Sequence, residues 1–335
     1  MLTVDYYNSR CLNASVTVTR IPADRDVVVC ECFARDGLQN EPAPISTESK
    51  VHALTAFADA GFSRVEATSY SHPERVPGFA DASSLLADIP RRPSLAYKAT
   101  CPNQRAVQRA LVDWDAGCAA EELSFLVSTT EEHSQRNLRA SRAEQWDRVA
   151  EMVALAEGRF VLVGVISMAL GCPFEGEVAP SQVVDDVRRF AELGVTMVTI
   201  GDTIGAGNPR SVGSLFADVL AEVPEVTPIA HLHDSRGTAL ANAVAALDAG
   251  CRYFDSAMGG VGGHPTRIAY GGGVTGNTAT EDLVAMLERM GVRTGIDSSR
   301  LKAASGLCER ILGRPLESKV ARNDYGSSSK EAAGV

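Results

Sequence analysis

The sequence is short of basic residues, of long apolar runs and of every common linear motif for hydrolysis or nucleotide binding. Lys and Arg number 32 against 42 Asp and Glu, leaving a net charge of −10 and a pI near 5.2. Such a surface lacks the clustered cations on which general binding to nucleic acid or anionic membrane rests. The longest apolar stretch, 160–170, falls short of the roughly 18 residues a membrane helix needs. The start, Met1 to Tyr7, has no basic segment leading into an apolar core, so no signal peptide is expected. No Cys-x-x-Cys pair occurs, which removes the zinc-knuckle and dithiol redox motifs, and the eight cysteines follow no framework spacing. They read as reduced thiols of a cytoplasmic protein. Gly-x-Ser-x-Gly, Walker A and His-Glu-x-x-His sequences are absent.

What is present is alternation. With 335 residues, 45% of them hydrophobic, the chain can bury a substantial core. Short β-rich runs at 26–32, 64–68, 94–99, 122–127, 160–168, 197–201, 228–233 and 253–256 alternate with amphipathic helical runs. The helices are expected at 46–60, 81–88, 104–115, 142–157, 181–193, 210–222, 238–249 and 280–290. Gly61, Gly117, Gly194, Gly250 and Gly291 stand where left-handed C-caps would turn the chain back. Strand–helix alternation implies a parallel sheet clothed in helices, and eight units favour a closed (β/α)8 TIM barrel. No Ser/Pro linker divides the chain. The expected organisation is an N-terminal extension (1–25), the barrel (26–297), a C-terminal helical extension (298–324) and a flexible tail (325–335).

A barrel of this kind does its chemistry at the C-terminal strand ends. Those ends carry Arg35, Asp36 and Gln39, then Glu66, Asp202, His231 and His233, and finally a glycine-rich loop running through His264 to Gly276 and Asn277. His231 and His233, two apart on a strand, project to one face. A lone His-x-His reads equally as two hydrogen-bonded structural histidines; Asp36, Asp202 and Asn277 at neighbouring ends tilt it toward a divalent metal. Mixed imidazole and oxygen ligands suit Mg²⁺ or Mn²⁺, with Zn²⁺, Co²⁺ and Fe²⁺ as alternatives. Arg35 is either a solvated loop residue or, held by Glu66, a fixed donor to an enolate oxygen. Gly271, Gly273 and Gly276 match Gly-x-Gly-x-x-Gly, but no strand precedes them and too little chain follows for a Rossmann unit, so a lid is the expected use. Cys30 and Cys32 share a strand face and are expected to pack inside the barrel.

ARDGLQNE (34–41), VEATSY (65–70), ALGCPFEGEV (169–178), GDTIGAGNP (201–209), HLHD (231–234) and GNTATEDLVAML (276–287) together resemble the 3-hydroxy-3-methylglutaryl-CoA lyases. The resemblance runs from Asp26 to Ala321 and places the chain among metal-dependent TIM-barrel lyases and synthases. It implies a metal held by Asp36, His231, His233 and Asn277. It also implies that Arg35 stabilises the enolate, that Glu66 holds Arg35, and that Asp202 supports the site. One position departs. The lyases carry a catalytic cysteine in the strand-8 loop, whereas this chain reads Gly262-Gly263-His264-Pro265. Histidine can do acid/base work at neutral pH, so His264 is expected to replace that cysteine. The expected activity is cleavage of a 3-hydroxy-3-methylglutaryl-CoA-like thioester. The alternatives are condensation of an acyl-CoA with a keto acid, a barrel repurposed for a non-CoA substrate, and a barrel that has lost catalysis. Arg136 and Arg267, in loops that depart from the family, are candidates for a CoA phosphate or substrate carboxylate, against a reading as solvated surface arginines. Partners are expected to be the acyl-CoA alone, without nucleic acid or membrane, and a homodimer is left open.

Overall fold

A computed structural model describes residues 21–263 and 276–323. Eight parallel strands close into a barrel in sequence order, β1 (Val28–Glu31), β2 (Arg64–Ser69), β3 (Ala96–Thr100), β4 (Glu122–Ser128), β5 (Val161–Ser167), β6 (Met197–Asp202), β7 (Thr227–Leu232) and β8 (Tyr253–Ser256). Closure is made by β1 pairing with β8, with Val28 opposite Tyr253 and Glu31 opposite Ser256. The surrounding helices are α1 (Thr47–Ala60), α2 (Ala82–Asp88), α3 (Gln104–Asp115), α4 (Arg142–Ala156), α5 (Pro180–Glu192), α6 (Pro209–Glu222), α7 (Ala239–Asp248), α8 (Thr280–Arg289) and α9 (Ser298–Leu312). The expected TIM barrel is therefore the observed fold.

Local chemistry sets the boundaries. Ser46 caps α1 by accepting the Ser49 N–H at 3.2 Å, and Ser141 with Glu144 forms a capping box at the start of α4. All five glycines expected as C-caps have positive φ. β1 is shorter than its apolar run, because the chain leaves the sheet at Cys32 into a wide helical turn, Phe33–Gly37. That turn carries Arg35 and Asp36 to the rim. A second turn of this kind, Ser134–Leu138, has no counterpart in the sequence expectation.

Strand periodicity sorts the side chains into two compartments. Val65, Ala67, Tyr97, Ala99, Leu123, Phe125, Val127 and Phe254 face the helices and build the main core. Val28, Val163, Met197, Ile229 and Tyr253 form a separate plug at the barrel floor. Between plug and rim, barrels of this type are usually filled by branched aliphatics. Here Arg64, Glu66, Lys98, Glu122 and Asp255 occupy that level instead, all buried. Past the barrel, α9 packs on α1, and Asp282 accepts from Ser318 Oγ, Lys319 N and Val320 N to seat the short turn Lys319–Arg322. No helix among the described residues is long and apolar enough to cross a membrane.

Candidate metal centre and active site

At the C-terminal rim of the barrel lies a cavity of about 540 Å³, lined by residues that include Arg35, Asp36, Gln39, His231 and His233. Its size suits a small-molecule site. Arg35 enters from the turn after β1 and is held on three sides. Its Nε lies 2.8 Å from Glu66 Oε1, and its Nη1 donates to Asp36 Oδ1 at 3.1 Å and to Gln39 Oε1 at 3.2 Å. Thr100 Oγ1 donates to the same Glu66 oxygen at 3.0 Å, fixing the carboxylate from β3. Burial opposes the charge on Arg35, but Glu66 and Asp36 outweigh it and keep the guanidinium firmly protonated. An arginine clamped this way presents its remaining N–H groups in a fixed fork.

Beside it, Asp36, His231 and His233 bring their ligand atoms within 4.8 Å of one another. The two imidazole Nε2 atoms are 3.1 Å apart, and His231 turns its Nδ1 toward Asp255 Oδ2 at 3.4 Å. That contact favours the Nδ1–H tautomer and leaves Nε2 as a lone-pair donor facing its neighbour. Asn277 is bridged to His233 and donates its Nδ2 to Asp36 Oδ2 at 2.6 Å and to the Val261 carbonyl at 2.9 Å. Its Oδ1 is buried and accepts no hydrogen bond among the described residues. Two facing imidazole nitrogens, a carboxylate and a buried orphan amide oxygen form a donor set that fits a divalent cation. Burial would raise the Asp36 carboxyl; Arg35, His231 and His233 more than offset this and lower it, so it stands ready as an anionic ligand. Gly262, with φ of 103°, lies against this group, and a Cβ there would come 2.6 Å from Asn277 Nδ2.

The other sequence candidates fall differently. Asp202 does not line the cavity; its carboxylate accepts the Ala206 and Gly207 N–H groups at 2.7 and 2.9 Å and braces the loop whose Thr203 does. Arg136 does not line the cavity. It is half exposed, donates to Glu132 Oε1 at 2.6 Å and lies over the Phe174 ring at 4.2 Å, away from the cavity wall that its neighbours His133 and Asn137 help to form. Its i,i+4 carboxylate and an aromatic face satisfy it on the surface. His264, Arg267, Gly271 and Gly273 lie outside the described residues. Cys30 and Cys32 are buried in the barrel, their Sγ atoms 3.9 Å apart and close to Asp255.

The model of the HMGL-like family matches residues 26–308, nearly the whole chain. The chain belongs to the HMGL-like family. The mitochondrial hydroxymethylglutaryl-CoA lyase of Macaca fascicularis is 35% identical over 312 residues, covering 93% of each chain. The hydroxymethylglutaryl-CoA lyase YngG of Bacillus subtilis is 36% identical over 300 residues, 89% of this HMGL-like chain and 97% of its own. Among solved structures, an HMG-CoA lyase from Acinetobacter baumannii in complex with coenzyme A and 3-methylmalate superposes with a TM-score of 0.84 at 32% identity, covering 92% of this chain and 98% of that one. This HMGL-like protein is thus an enzyme of the carbon–carbon lyase type, in a family that depends on a divalent metal.

Four residues that matter to the geometry escaped the sequence reading: Arg64, Lys98, Glu122 and Asp255. The signal for them was charge at alternate, inward positions of strands whose other face is apolar.

Proposed function

We propose that this protein cleaves the C2–C3 bond of a 3-hydroxy-3-methylglutaryl-CoA-like thioester, releasing an acetyl-CoA-type enolate and a keto acid. The observation that carries this reading is the sharing of one cavity by a clamped guanidinium, Arg35, and a ligand cluster made by Asp36, His231 and His233, with Asn277 at its edge. Asp36, His231, His233 and Asn277 would hold Mg²⁺ or Mn²⁺. A divalent ion there would supply Lewis acidity that lowers the pKa of the substrate's 3-hydroxyl.

The remaining work falls to the protein's side chains. A base takes the 3-hydroxyl proton, the C3 carbonyl forms, and the C2–C3 bonding pair passes into the thioester enolate. Arg35, oriented by Glu66 and Gln39, donates to the enolate oxygen as charge develops. An acid then returns a proton to C2. His264 is assigned both proton transfers, on the ground that it occupies the loop position where the lyases carry cysteine. Arg267, on the same loop, is assigned to a phosphate or carboxylate of the substrate. Asp202 supports the site by shaping the β6 loop.

The likeness to a structure bound to coenzyme A supports a CoA thioester as the substrate form. A cytoplasmic setting is supported by the seven described cysteines, all free thiols. Condensation of an acyl-CoA with a keto acid is the second reading, favoured by His264 because histidine is the usual acid/base in the condensing members. The test is turnover of 3-hydroxy-3-methylglutaryl-CoA with Mg²⁺ or Mn²⁺, watching for acetyl-CoA. Chelator should abolish it and either ion restore it. Turnover unaffected by chelator, or full turnover in His264→Ala, would defeat the mechanism. Release of free CoA from acetyl-CoA plus a 2-oxo acid, with no cleavage, would favour condensation.

A further inference from the structure

From the rim down into the barrel, Glu66, Asp255 and Glu122 link Arg35, Lys98 and Arg64 in one chain of ion pairs. Arg35 meets Glu66 at 2.8 Å, Lys98 Nζ lies 3.6 Å from Glu66 Oε1 and 3.6 Å from Asp255 Oδ2, and Arg64 lies 3.4 Å from Asp255 and 2.7 Å from Glu122. Asp255 in turn faces His231 Nδ1 at 3.4 Å. Lys98 is therefore the one described residue that touches both the carboxylate behind Arg35 and the carboxylate behind His231. It is buried, and burial works against its charge, but Asp255 and Glu66 outweigh that and hold its ammonium above the ordinary lysine range.

We propose that Lys98 is a positioning residue that locks Glu66 and Asp255 together and so sets, from one point, the orientation of both Arg35 and the metal-ligating face of His231. The proposal rests on the roles given above to Arg35 and His231. Without the ammonium, two carboxylates on opposite sides of its space lose their shared counter-ion. Glu66 keeps only Arg35 as a cation within 4 Å, and Asp255 keeps only Arg64 beside His231. Both carboxylates then reorient, and the groups they hold move with them. Loss of an outer-shell partner of this kind typically costs about 10- to 100-fold in metal affinity or activity.

The test uses the full-length apo protein and Lys98→Met, with Lys98→Gln should the methionine variant fail to fold. Mn²⁺ affinity is read by electron paramagnetic resonance titration, and kcat and KM are measured on the thioester. Removing Lys98 should weaken Mn²⁺ binding about 10-fold or more and lower kcat about as much, with KM changed less. Lys98→Arg should restore most of both. Glu66→Gln should lower kcat while sparing Mn²⁺ affinity, and Asp255→Asn should weaken Mn²⁺ binding, so that only the lysine variants strike both. Unchanged Mn²⁺ affinity in Lys98→Met or Lys98→Gln, or a Lys98→Arg variant that recovers neither Mn²⁺ affinity nor kcat, overturns the proposal. A wild-type protein that binds Mn²⁺ but cleaves no thioester defeats the lyase reading instead, and the Mn²⁺ titration still decides for or against Lys98.

Discussion

Arg35 is the residue on which the proposed chemistry turns, because three side chains restrain it, one from β2 and two from its own turn. Glu66 Oε1 lies against its Nε, Asp36 and Gln39 accept from its Nη1, and the residue lines the cavity. A lysine there keeps the charge but loses the fork, since an ammonium cannot bridge Glu66 and the site in fixed geometry. Arg35→Met should lower kcat about 10²- to 10³-fold, the scale of losing one preorganised oxyanion donor, with a smaller change in KM. Arg35→Lys should recover little of it. Steady-state kinetics on the thioester decides; a variant that raises KM alone would move Arg35 from transition-state stabilisation to simple binding. Gly262 makes a second test at this scale. Gly262→Ala puts a methyl group 2.6 Å from Asn277 Nδ2 and 2.9 Å from the Asp36 carbonyl, in a backbone region that alanine resists. Mn²⁺ affinity should fall well before the melting temperature does. Equal binding by calorimetry would separate Asn277 from the ligand set.

Among the elements, β1 and the start of the β8 loop are tied by a buried acid. Glu31 Oε1 accepts the Phe33 and Met258 N–H groups, each at 2.9 Å, and its Oε2 accepts from Thr280 Oγ1 at 2.6 Å. Burial pushes its carboxyl up to about 8, against those hydrogen bonds, which favour the ionised form. An unfolded glutamate ionises near ~4.3. Between these values the native state holds a proton that the unfolded state has lost, so stability falls as pH rises through this window. Glutamine keeps an acceptor for the two N–H groups without the titration. Urea midpoints at pH 5.5, 7 and 8.5 should therefore show the wild type losing ground to Glu31→Gln as pH climbs. A constant gap would mean that the three hydrogen bonds keep Glu31 ionised throughout. The elements themselves were legible because each strand-to-helix unit is punctuated by a cap or a glycine, as at Ser46 and Gly61. The wide turns at Phe33–Gly37 and Ser134–Leu138 were not, since they follow neither strand nor helix periodicity. Nor does anything in the linear sequence place Phe174 under Arg136.

For the whole molecule, the charged level inside the barrel is costly in isolation and is tolerated because every member has a partner. Arg64 and Glu122 are joined at 2.7 Å and both nearly sealed from water. The sequence revealed the cluster at the rim, where His231, His233 and Asp36 sit in recognisable motifs. It hid this lower level, because Arg64 and Glu122 look like ordinary polar strand ends until the barrel closes and β2, β3, β4 and β8 place them together. Taking two charges out of water costs several kcal/mol per ion, so such a pair need not add net stability. Breaking it is another matter. Glu122→Leu strands a guanidinium with only Asp255 nearby, at 3.4 Å, and should cost about 3–5 kcal/mol. Adding Arg64→Met removes the stranded charge, so the double variant should recover most of the loss and can exceed the wild type. Asp255 would still have Lys98 at 3.6 Å and His231 at 3.4 Å, so Mn²⁺ affinity in the double variant should stay within about threefold. Chemical denaturation of the two single variants and the double variant closes the cycle. Additive losses from Glu122→Leu and Arg64→Met would show that the pair is not coupled, and the charged level would then have to be explained by something other than mutual neutralisation.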